Sequence, residues 1–164
     1  MNELDFCTET IINYFSSSPR PVILCIGTDR VCGDALGPLV GTLLSTTLGV
    51  NSFVYGTLKF PVTALNLNDA IRFIKIKHPN SPVLAIDACV GKSADIGKIR
   101  LFDGGIKPGL ATGKTLPTVG DLSITATVAC SGADNSLFRV SLSLIYELAH
   151  SIATTVAGAF SQIN

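Results

Sequence analysis

The chain has 164 residues, enough to bury a hydrophobic core without disulfides or metals, and we expect one domain over residues 1–164. Its 12 basic residues balance 12 acidic residues, so no overall charge favours nucleic acid or a membrane surface. Hydrophobic residues make up 47% and charged residues only 15%, which favours a large buried sheet and is compatible with a homo-oligomer.

The N-terminal segment, the length of the apolar stretches and the cysteines predict a cytoplasmic protein. The first ten residues are acidic and lack the basic segment of a signal peptide. No uninterrupted apolar stretch reaches the ~20 residues that a membrane-spanning helix needs. The five cysteines contain no CxxC pair and are odd in number, which is typical of reduced thiols.

The first half of the chain alternates helix-like and strand-like segments. Helical spacing of apolar residues predicts a helix over 4–15, and the continuous apolar run 21–27 predicts a strand buried on both faces. A second helix is predicted to open near Gly37-Pro38, and a short strand covers 53–55. A third helix, capped by Asn66 or Asn68, is predicted to stop at His78-Pro79. The residues predicted to face inward from these two helices are Leu36, Val40, Leu43, Leu67, Ile71 and Ile74.

The second half predicts three more strands and a long helix. The apolar run 82–86 predicts a second buried strand, whereas 97–102 alternates charged and apolar residues as an edge strand does. Residues 103–121 carry five glycines and two prolines and predict a long loop. A strand over 122–129 and a helical stripe from Leu137 to Val156 follow. This order predicts a three-layer α/β domain with a mostly parallel sheet and helices on both faces.

Two aspartates are placed where such a sheet binds ligands. Asp34 follows the first buried strand and precedes the helix that opens near Pro38, and Asp87 directly follows the run 82–86. The carboxyl ends of parallel strands meet at one edge, so both carboxylates are expected in one cleft. The helix amides should favour an ionised Asp34, whereas burial should raise the pKa of Asp87. The alternative is that both aspartates only cap local turns.

Other familiar sites are not supported by the sequence. The tripeptides Gly91-Lys92-Ser93 and Gly113-Lys114-Thr115 lack the upstream glycine of a phosphate-binding loop. Cys32 and Cys89 lie near the aspartates, but His78 and His150 are not placed to activate a thiol, and no histidine–cysteine cluster has the spacing of a zinc site. We therefore expect no cofactor and no metal.

Three segments resemble the YyaC-type sporulation proteins, a family of endospore-forming bacteria regarded as spore proteases. They are CIGTDRVCGDALGPLVG (25–41), VYGTLKFPVTALNL (54–67) and AIDACVGKSADIGKIRLFDGGIKPG (85–109). The resemblance extends over nearly the whole chain. It implies a protein of the sporulating cell or the spore.

The same segments are more distantly similar to the spore germination protease, an aspartic peptidase that degrades small acid-soluble spore proteins. One essential aspartate of that enzyme stands in a pattern matched by Gly27 and Asp34-Ala35-Leu36-Gly37-Pro38, and the other in a pattern matched by Ile86-Asp87-Ala88. Its Gly-Ile-His-Pro-Gly loop is matched by 105–109, with Lys107 in place of the histidine. The resemblance therefore implies Asp34 and Asp87 as the catalytic pair.

The hydrogenase maturation proteases share this fold and bind nickel through acidic residues and a histidine. Here no histidine follows Asp87 near a later strand end, so nickel recognition is not expected. The resemblance implies their fold for this chain, a phosphorylase/hydrolase-like sheet.

We therefore predict an endopeptidase acting on a peptide or protein substrate, with Asp34 as base and Asp87 as proton donor. Thr28 and Asp29 are predicted to position substrate, together with a clamp formed by Gly105 and Lys107. Backbone amides near Gly33 or Gly105 are predicted to stabilise the oxyanion. The alternatives are a non-catalytic binding module on the same fold and a hydrolase of another amide or ester, as in the peptidyl-tRNA hydrolases.

Overall fold

The computed structural model describes residues 3–108 and 116–163, and their helices and strands follow the predicted order. In chain order they are α1 (Glu3–Phe15), β1 (Val22–Cys25), α2 (Leu36–Thr42), β2 (Phe53–Tyr55), α3 (Leu67–Lys77), β3 (Val83–Gly91), β4 (Ile99–Asp103), β5 (Leu122–Cys130) and α4 (Leu142–Phe160). Within these residues no helix is long and apolar enough to span a bilayer.

The strands form a mostly parallel sheet in the order β2-β1-β3-β5-β4. β2, β1, β3 and β5 run parallel, and β4 joins β5 in the antiparallel direction at the edge. The prediction of an edge strand over 97–102 is confirmed, because β4 covers Ile99–Asp103 with only Ile99 buried. The predicted α/β class with a mostly parallel sheet is also confirmed.

Helices cover both faces of the sheet, as predicted. Alternate residues of β1 point to opposite faces, so Ile23 and Cys25 pack with α1, α2 and α4, whereas Val22 and Leu24 pack with α3. The α3 face is completed by Ile106 and its bridge partner Val119, which are both buried. The base of the predicted loop 103–121 is therefore part of the core, and residues 109–115 lie outside the described residues.

α2 departs from the predicted helix at both ends. A 3-10 turn over Cys32–Ala35 precedes it, so the helix begins at Leu36 and Pro38 lies inside its first turn. A π turn over Leu43–Thr47 extends it, which shifts the inward positions by one residue. Leu44 is fully buried in consequence, and Leu43 is only partly buried.

α4 begins five residues later than the start predicted at Leu137. Ser141 is its N-cap and accepts a hydrogen bond from the backbone N–H of Leu144 at 3.3 Å. Leu137 lies instead in a 3-10 turn over Ser136–Arg139. Its apolar side chain matched the helical stripe by spacing, although it belongs to the turn that leads into the helix.

Asp121 connects the beginnings of β3 and β5 at the end of the sheet opposite to the predicted site. Its Oδ2 accepts a hydrogen bond from the backbone N–H of Val83 at 2.7 Å, and its own N–H donates to the carbonyl of Val83 at 2.8 Å. Its carbonyl accepts from the N–H of Gly104 at 2.8 Å. The carboxylate thus satisfies a strand-end amide that has no ladder partner.

We expect Asp121→Ala to lower the free energy of unfolding by about 1–2 kcal/mol, because the N–H of Val83 loses a charged acceptor. Asp121→Asn keeps an oxygen acceptor and should cost less. Urea unfolding measures both, with the exposed Asp134→Ala as the control, for which a change within about 0.5 kcal/mol is expected. Equal costs for the alanine and asparagine variants would contradict this role of the side-chain oxygen.

Candidate active site

A pocket of about 940 Å³ lies at the carboxyl ends of the parallel strands. It is bounded by the segment after β1, by the loop 61–65 after β2, by the second half of β3 and by the chain around 102–107. Asp34 and Asp87 both line it, together with Thr125 of β5 and Leu137. The structure therefore brings the two predicted catalytic aspartates into one cleft at the edge where parallel sheets bind ligands.

Gly27 directs the chain from β1 toward Asp34. Its φ is +145°, and a Cβ at this position would lie 2.0 Å from the carbonyl oxygen of Asp34. The turn is closed by the N–H of Thr28, which donates to that carbonyl at 3.0 Å, and by the N–H of Asp34, which donates to the carbonyl of Val31 at 2.9 Å. The backbone of Asp34 is thus fixed against the end of β1.

Asp87 lies within β3 and not after it, because the strand continues to Gly91. The prediction that this strand ends at Ile86 is wrong, since the sequence shows only that the apolar run ends there. β1 stops opposite Ile86, but β5 keeps pairing with β3 as far as Gly91, and Thr125 is the residue opposite Asp87. The Asp87 carboxylate therefore stands where the sheet loses one of its strands.

The pKa values of both aspartates are raised. Burial raises the pKa of Asp34, and burial together with the charge of Asp34 raises the pKa of Asp87 well above its ordinary value. The N–H of Ala88 donates to Asp87 Oδ1 at 2.9 Å and partly opposes that rise. The pair thus offers two carboxyl groups of which Asp87 holds its proton more strongly.

The sequence predicted that the helix amides would favour the ionised form of Asp34, but burial raises the pKa of Asp34, so the predicted direction of the shift is wrong. Asp34 lies inside the 3-10 turn, two residues before α2, where desolvation determines the direction of the shift. Within the described residues its carboxylate makes no hydrogen bond to the amides of that turn or of α2. The alternative that Asp34 merely caps a helix is therefore not supported.

The other predicted site residues divide into two groups. Thr28, Asp29, Gly105 and Lys107 line the pocket, and Lys107 is exposed at its mouth. Gly33 does not line it, because it packs against Leu137, whose Cδ2 would lie 2.8 Å from a Cβ at that position. The roles of these residues in substrate and oxyanion binding stay predictions. Gly109 and Lys114, in the same predicted loop as Lys107, lie outside the described residues.

The loop after β2 was missed as part of the site. Pro61, Thr63, Ala64 and Leu65 form one wall of the pocket, and the N–H of Gly27 donates to the carbonyl of Val62 at 2.9 Å. β2 runs parallel to β1, so its carboxyl end reaches the same edge of the sheet. The strand-end rule that identified Asp34 and Asp87 would have indicated this loop as well.

The histidines and cysteines do not add a second catalytic centre. His78 ends α3 with its Nε2 2.7 Å from the hydroxyl of Tyr55, and His150 is exposed on α4. Cys89 lines the pocket with its Sγ 3.5 Å from Thr127 Oγ1, and neither histidine reaches that lining. In the described ranges no three His, Cys, Asp or Glu side chains gather as metal ligands do, so the described donors do not fit a nickel site that requires imidazole.

A family profile described as "Protein of unknown function (DUF1256)" matches residues 2–155. The chain belongs to the DUF1256 family. It is 48% identical over 111 residues to "Uncharacterized protein YyaC" of Bacillus subtilis (strain 168), an alignment that covers 68% of this chain and 54% of that protein. This DUF1256 chain thus spans about half the length of the curated relative it matches, and the resemblance to YyaC-type proteins is confirmed.

Among solved structures, the DUF1256 chain is similar to the [NiFe] hydrogenase maturation protease HycI from Thermococcus kodakarensis KOD1. The TM-score is 0.62 at 22% identity, over 93% of this chain and 99% of that one. A second similarity, to HybD from Thermococcus kodakarensis, has a TM-score of 0.48 at 14% identity. The HycI comparison confirms the predicted hydrogenase-maturation-protease-like fold.

Proposed function

We propose that this DUF1256 protein is an endopeptidase that uses Asp34 and Asp87 to hydrolyse a peptide bond. The observation that carries the proposal is the presence of both carboxyl groups in one pocket, with the pKa of Asp87 raised well above its ordinary value. Two interacting carboxyls of unequal pKa supply one base and one acid near neutral pH. The protease-like fold supports the proposal, although a fold alone does not determine a function.

The proposed reaction assigns one proton transfer to each aspartate. Ionised Asp34 accepts a proton from a water molecule as the water oxygen attacks the peptide carbonyl carbon. Protonated Asp87 then gives its proton to the leaving nitrogen as the C–N bond breaks. The assignment follows the pKa values, because burial and the charge of Asp34 both favour the protonated form of Asp87. The two groups titrate as a coupled pair.

The remaining lining residues supply binding groups for this reaction. Thr28 and Asp29 stand beside the end of β1 and would hold the substrate, and the exposed Lys107 would attract its anionic groups. Gly105 reaches the lining and Gly33 does not, so we assign oxyanion binding to a backbone amide near Gly105.

We propose a spore protein as the substrate and the cytoplasm of the sporulating cell, or the spore, as the setting. This part rests on the family resemblance, since the B. subtilis relative is itself uncharacterised and this chain spans 54% of it. Small acid-soluble spore proteins are the first substrates to test.

The test is mass spectrometry of the purified protein incubated with a small acid-soluble spore protein and, separately, with casein. We expect new peptide termini with the wild type and a loss of at least about 10³-fold in rate for both Asp34→Asn and Asp87→Asn. Asp69→Asn is the matched control, because Asp69 is an exposed carboxylate on α3 outside the pocket. Cleavage that survives in either pocket variant would contradict the aspartate mechanism.

A non-catalytic binding module is the second candidate, favoured by the size of the pocket and by its largely apolar lining. Binding of the spore protein without cleavage, equal in the wild type and Asp34→Asn, would support it. Hydrolysis confined to small esters or other amides would instead support the other alternative from the sequence, a hydrolase of another amide or ester.

A further inference from the structure

The backbone of β3 alternates between its two neighbours. The carbonyl of Ile86 accepts a hydrogen bond from the N–H of Ile26, at the end of β1, at 2.8 Å. The carbonyl of Gly91 accepts from the N–H of Ser131, after β5, at 2.8 Å. Successive strand residues direct their backbone groups to opposite sides. The register with β5 shifts between Cys89 and Val90, where β5 has one extra residue, but the bond to Gly91 shows that odd-numbered residues of β3 still face β5 beyond the shift. Even-numbered residues of β3 therefore face the β1 side.

The β1 side of β3 is uncovered beyond Asp87. β1 ends at Cys25, so within the described residues no strand lies opposite Ala88 and Val90 on that side. The N–H of Ala88 is taken by the Asp87 carboxylate at 2.9 Å. The carbonyl of Ala88 and the N–H of Val90 remain directed toward the position that β1 leaves, and both residues line the pocket.

That position opens into the pocket because the chain leaves the sheet after Ile26. Gly27 turns at a φ of +145°, and the N–H of Thr28 bonds to the carbonyl of Asp34 and not to β3. The carbonyl of Ala88 and the N–H of Val90 have the spacing at which one residue of a parallel strand accepts and donates a hydrogen bond. An extended peptide is the ligand whose backbone matches such an edge.

The mouth of the pocket adds an apolar surface. Leu65 is 85% exposed and Phe102 is 38% exposed, although both line the pocket. Leu65 is held there by its own loop, since Asn66 Oδ1 accepts from the N–H of Thr63 at 2.7 Å and Asn66 Nδ2 donates to the carbonyl of Pro61 at 3.1 Å. Leu65 and Phe102 therefore each offer an exposed apolar contact to a side chain of a ligand.

We propose that the substrate binds as an extended peptide strand in the position that β1 leaves beside β3. One of its residues would donate to the carbonyl of Ala88 and accept from the N–H of Val90, and apolar side chains would contact Leu65 or Phe102. This places the peptide next to Asp87. The inference rests on the proposed peptidase function, and it specifies unfolded or locally unfolded segments with an apolar residue as the substrate class.

The test uses the Asp34→Asn protein, which should bind peptides without cleaving them. Phage-displayed random decapeptides are selected on the immobilised protein, and fluorescence anisotropy measures the affinity of the synthetic peptides that are enriched. We expect one shared apolar position, whose replacement with glutamate weakens binding at least about 10-fold. Single N-methylation along the peptide should weaken binding by about 10-fold at the one residue whose N–H meets the carbonyl of Ala88, and little at the residues on either side of it.

Two further variants locate the binding surface. Leu65→Glu should weaken binding of the selected peptides at least about 10-fold, whereas Ile76→Glu should leave it unchanged. Ile76 is the matched control because it is 70% exposed on α3 and lies outside the pocket lining. No enriched peptides, no single sensitive position in the N-methyl series, or equal effects of the two variants would each overturn the inference.

The outcomes separate this inference from the proposed function. Selected peptides that bind with one position sensitive to N-methylation but are not cleaved by the wild type would contradict the peptidase and leave the strand-binding edge in place. The wild type could instead cleave a spore protein at sites with no apolar preference, and at a rate that Leu65→Glu does not change. That result would retain the peptidase and remove the strand-binding edge.

Discussion

Asp87→Asn is expected to raise the melting temperature at pH 7 by about 3 °C or more while it abolishes hydrolysis. The fold raises the pKa of Asp87 through burial and through the charge of Asp34, so an ionised Asp87 is less stable in the folded chain than in the unfolded one. Asparagine carries no charge, has nearly the same shape and keeps an oxygen for the N–H of Ala88. A gain in stability together with a loss of activity is typical of a carboxyl held in place for catalysis.

The stability difference between the wild type and Asp87→Asn should depend on pH. Between the ordinary pKa of 3.8 and the raised pKa in the fold, the folded chain binds more protons at Asp87 than the unfolded chain does. The contribution of Asp87 is therefore fully present below the ordinary pKa and is lost as the pH rises through the raised one. We expect the two proteins to differ little at pH 3.5 and the variant to become more stable than the wild type as the pH rises between the two pKa values, by about 1.4 kcal/mol for each pH unit.

Denaturant unfolding of both proteins from pH 3.5 to pH 8 checks this expectation. Asp69→Asn is the control and should be slightly less stable than the wild type, because an acidic residue in the first turn of α3 interacts favourably with the helix. In a protein that already carries Asp34→Asn, the substitution Asp87→Asn should stabilise the fold less, since the charge of Asp34 is one of the causes of the raised pKa of Asp87. A lower stability of Asp87→Asn at pH 7 would contradict the raised pKa.

The sequence was sufficient for the order of elements because the buried strands are short and strongly apolar. The runs that became β1 and β3 contain fully buried residues from Val22 to Cys25 and from Leu84 to Ile86. Their exact ends depend on partners far away in the chain. β3 continues past Asp87 only because β5 is long enough to pair with it, and no pattern within residues 83–91 indicates that.

The presence of the two aspartates in one pocket could be predicted and the rest of the site only in part. The ends of the apolar runs before Asp34 and Asp87 locate both residues, since topology brings the carboxyl ends of parallel strands together. The pocket wall formed by 61–65 consists of residues that are common in loops. The residue types of this segment do not predict that Leu65 is exposed. The pKa of Asp34 depends on how deeply its turn is buried, which spacing along the chain does not show.

These observations together identify the end of β1 as the feature on which the site depends. The same departure of the chain after Ile26 places Asp34 opposite Asp87 and leaves the backbone of Ala88 and Val90 uncovered. A single residue permits this departure. Gly27 takes a φ that other residues rarely adopt, and it leaves no space for a side chain.

Gly27→Ala is accordingly expected to lower the free energy of unfolding by about 3 kcal/mol or more. The alanine Cβ would lie 2.0 Å from the carbonyl oxygen of Asp34 and 3.0 Å from Cδ of Pro38, so the turn must move, and the φ of +145° is strained for any residue with a Cβ. The hydrogen bond from the N–H of Thr28 to Asp34 would be lost with that movement. Any protein that still folds should lose at least about 100-fold in cleavage rate, because Asp34 is displaced from Asp87.

Gly49→Ala is the comparison variant for the stability loss of Gly27→Ala, which combines backbone strain with the contact between the new Cβ and Asp34. Gly49 also has a positive φ, +58°, but a Cβ there would have no atom within 4 Å, so only the backbone cost of about 1–2 kcal/mol is expected. The stabilities of the two variants in urea should therefore differ by the cost of the contact with Asp34 and by the greater backbone strain at a φ of +145°, and cleavage should be preserved in Gly49→Ala alone. Equal stabilities would mean that the turn after β1 tolerates a side chain. The position of Asp34 would then have to be maintained by the packing of the 3-10 turn against Leu137 and not by the conformation of Gly27.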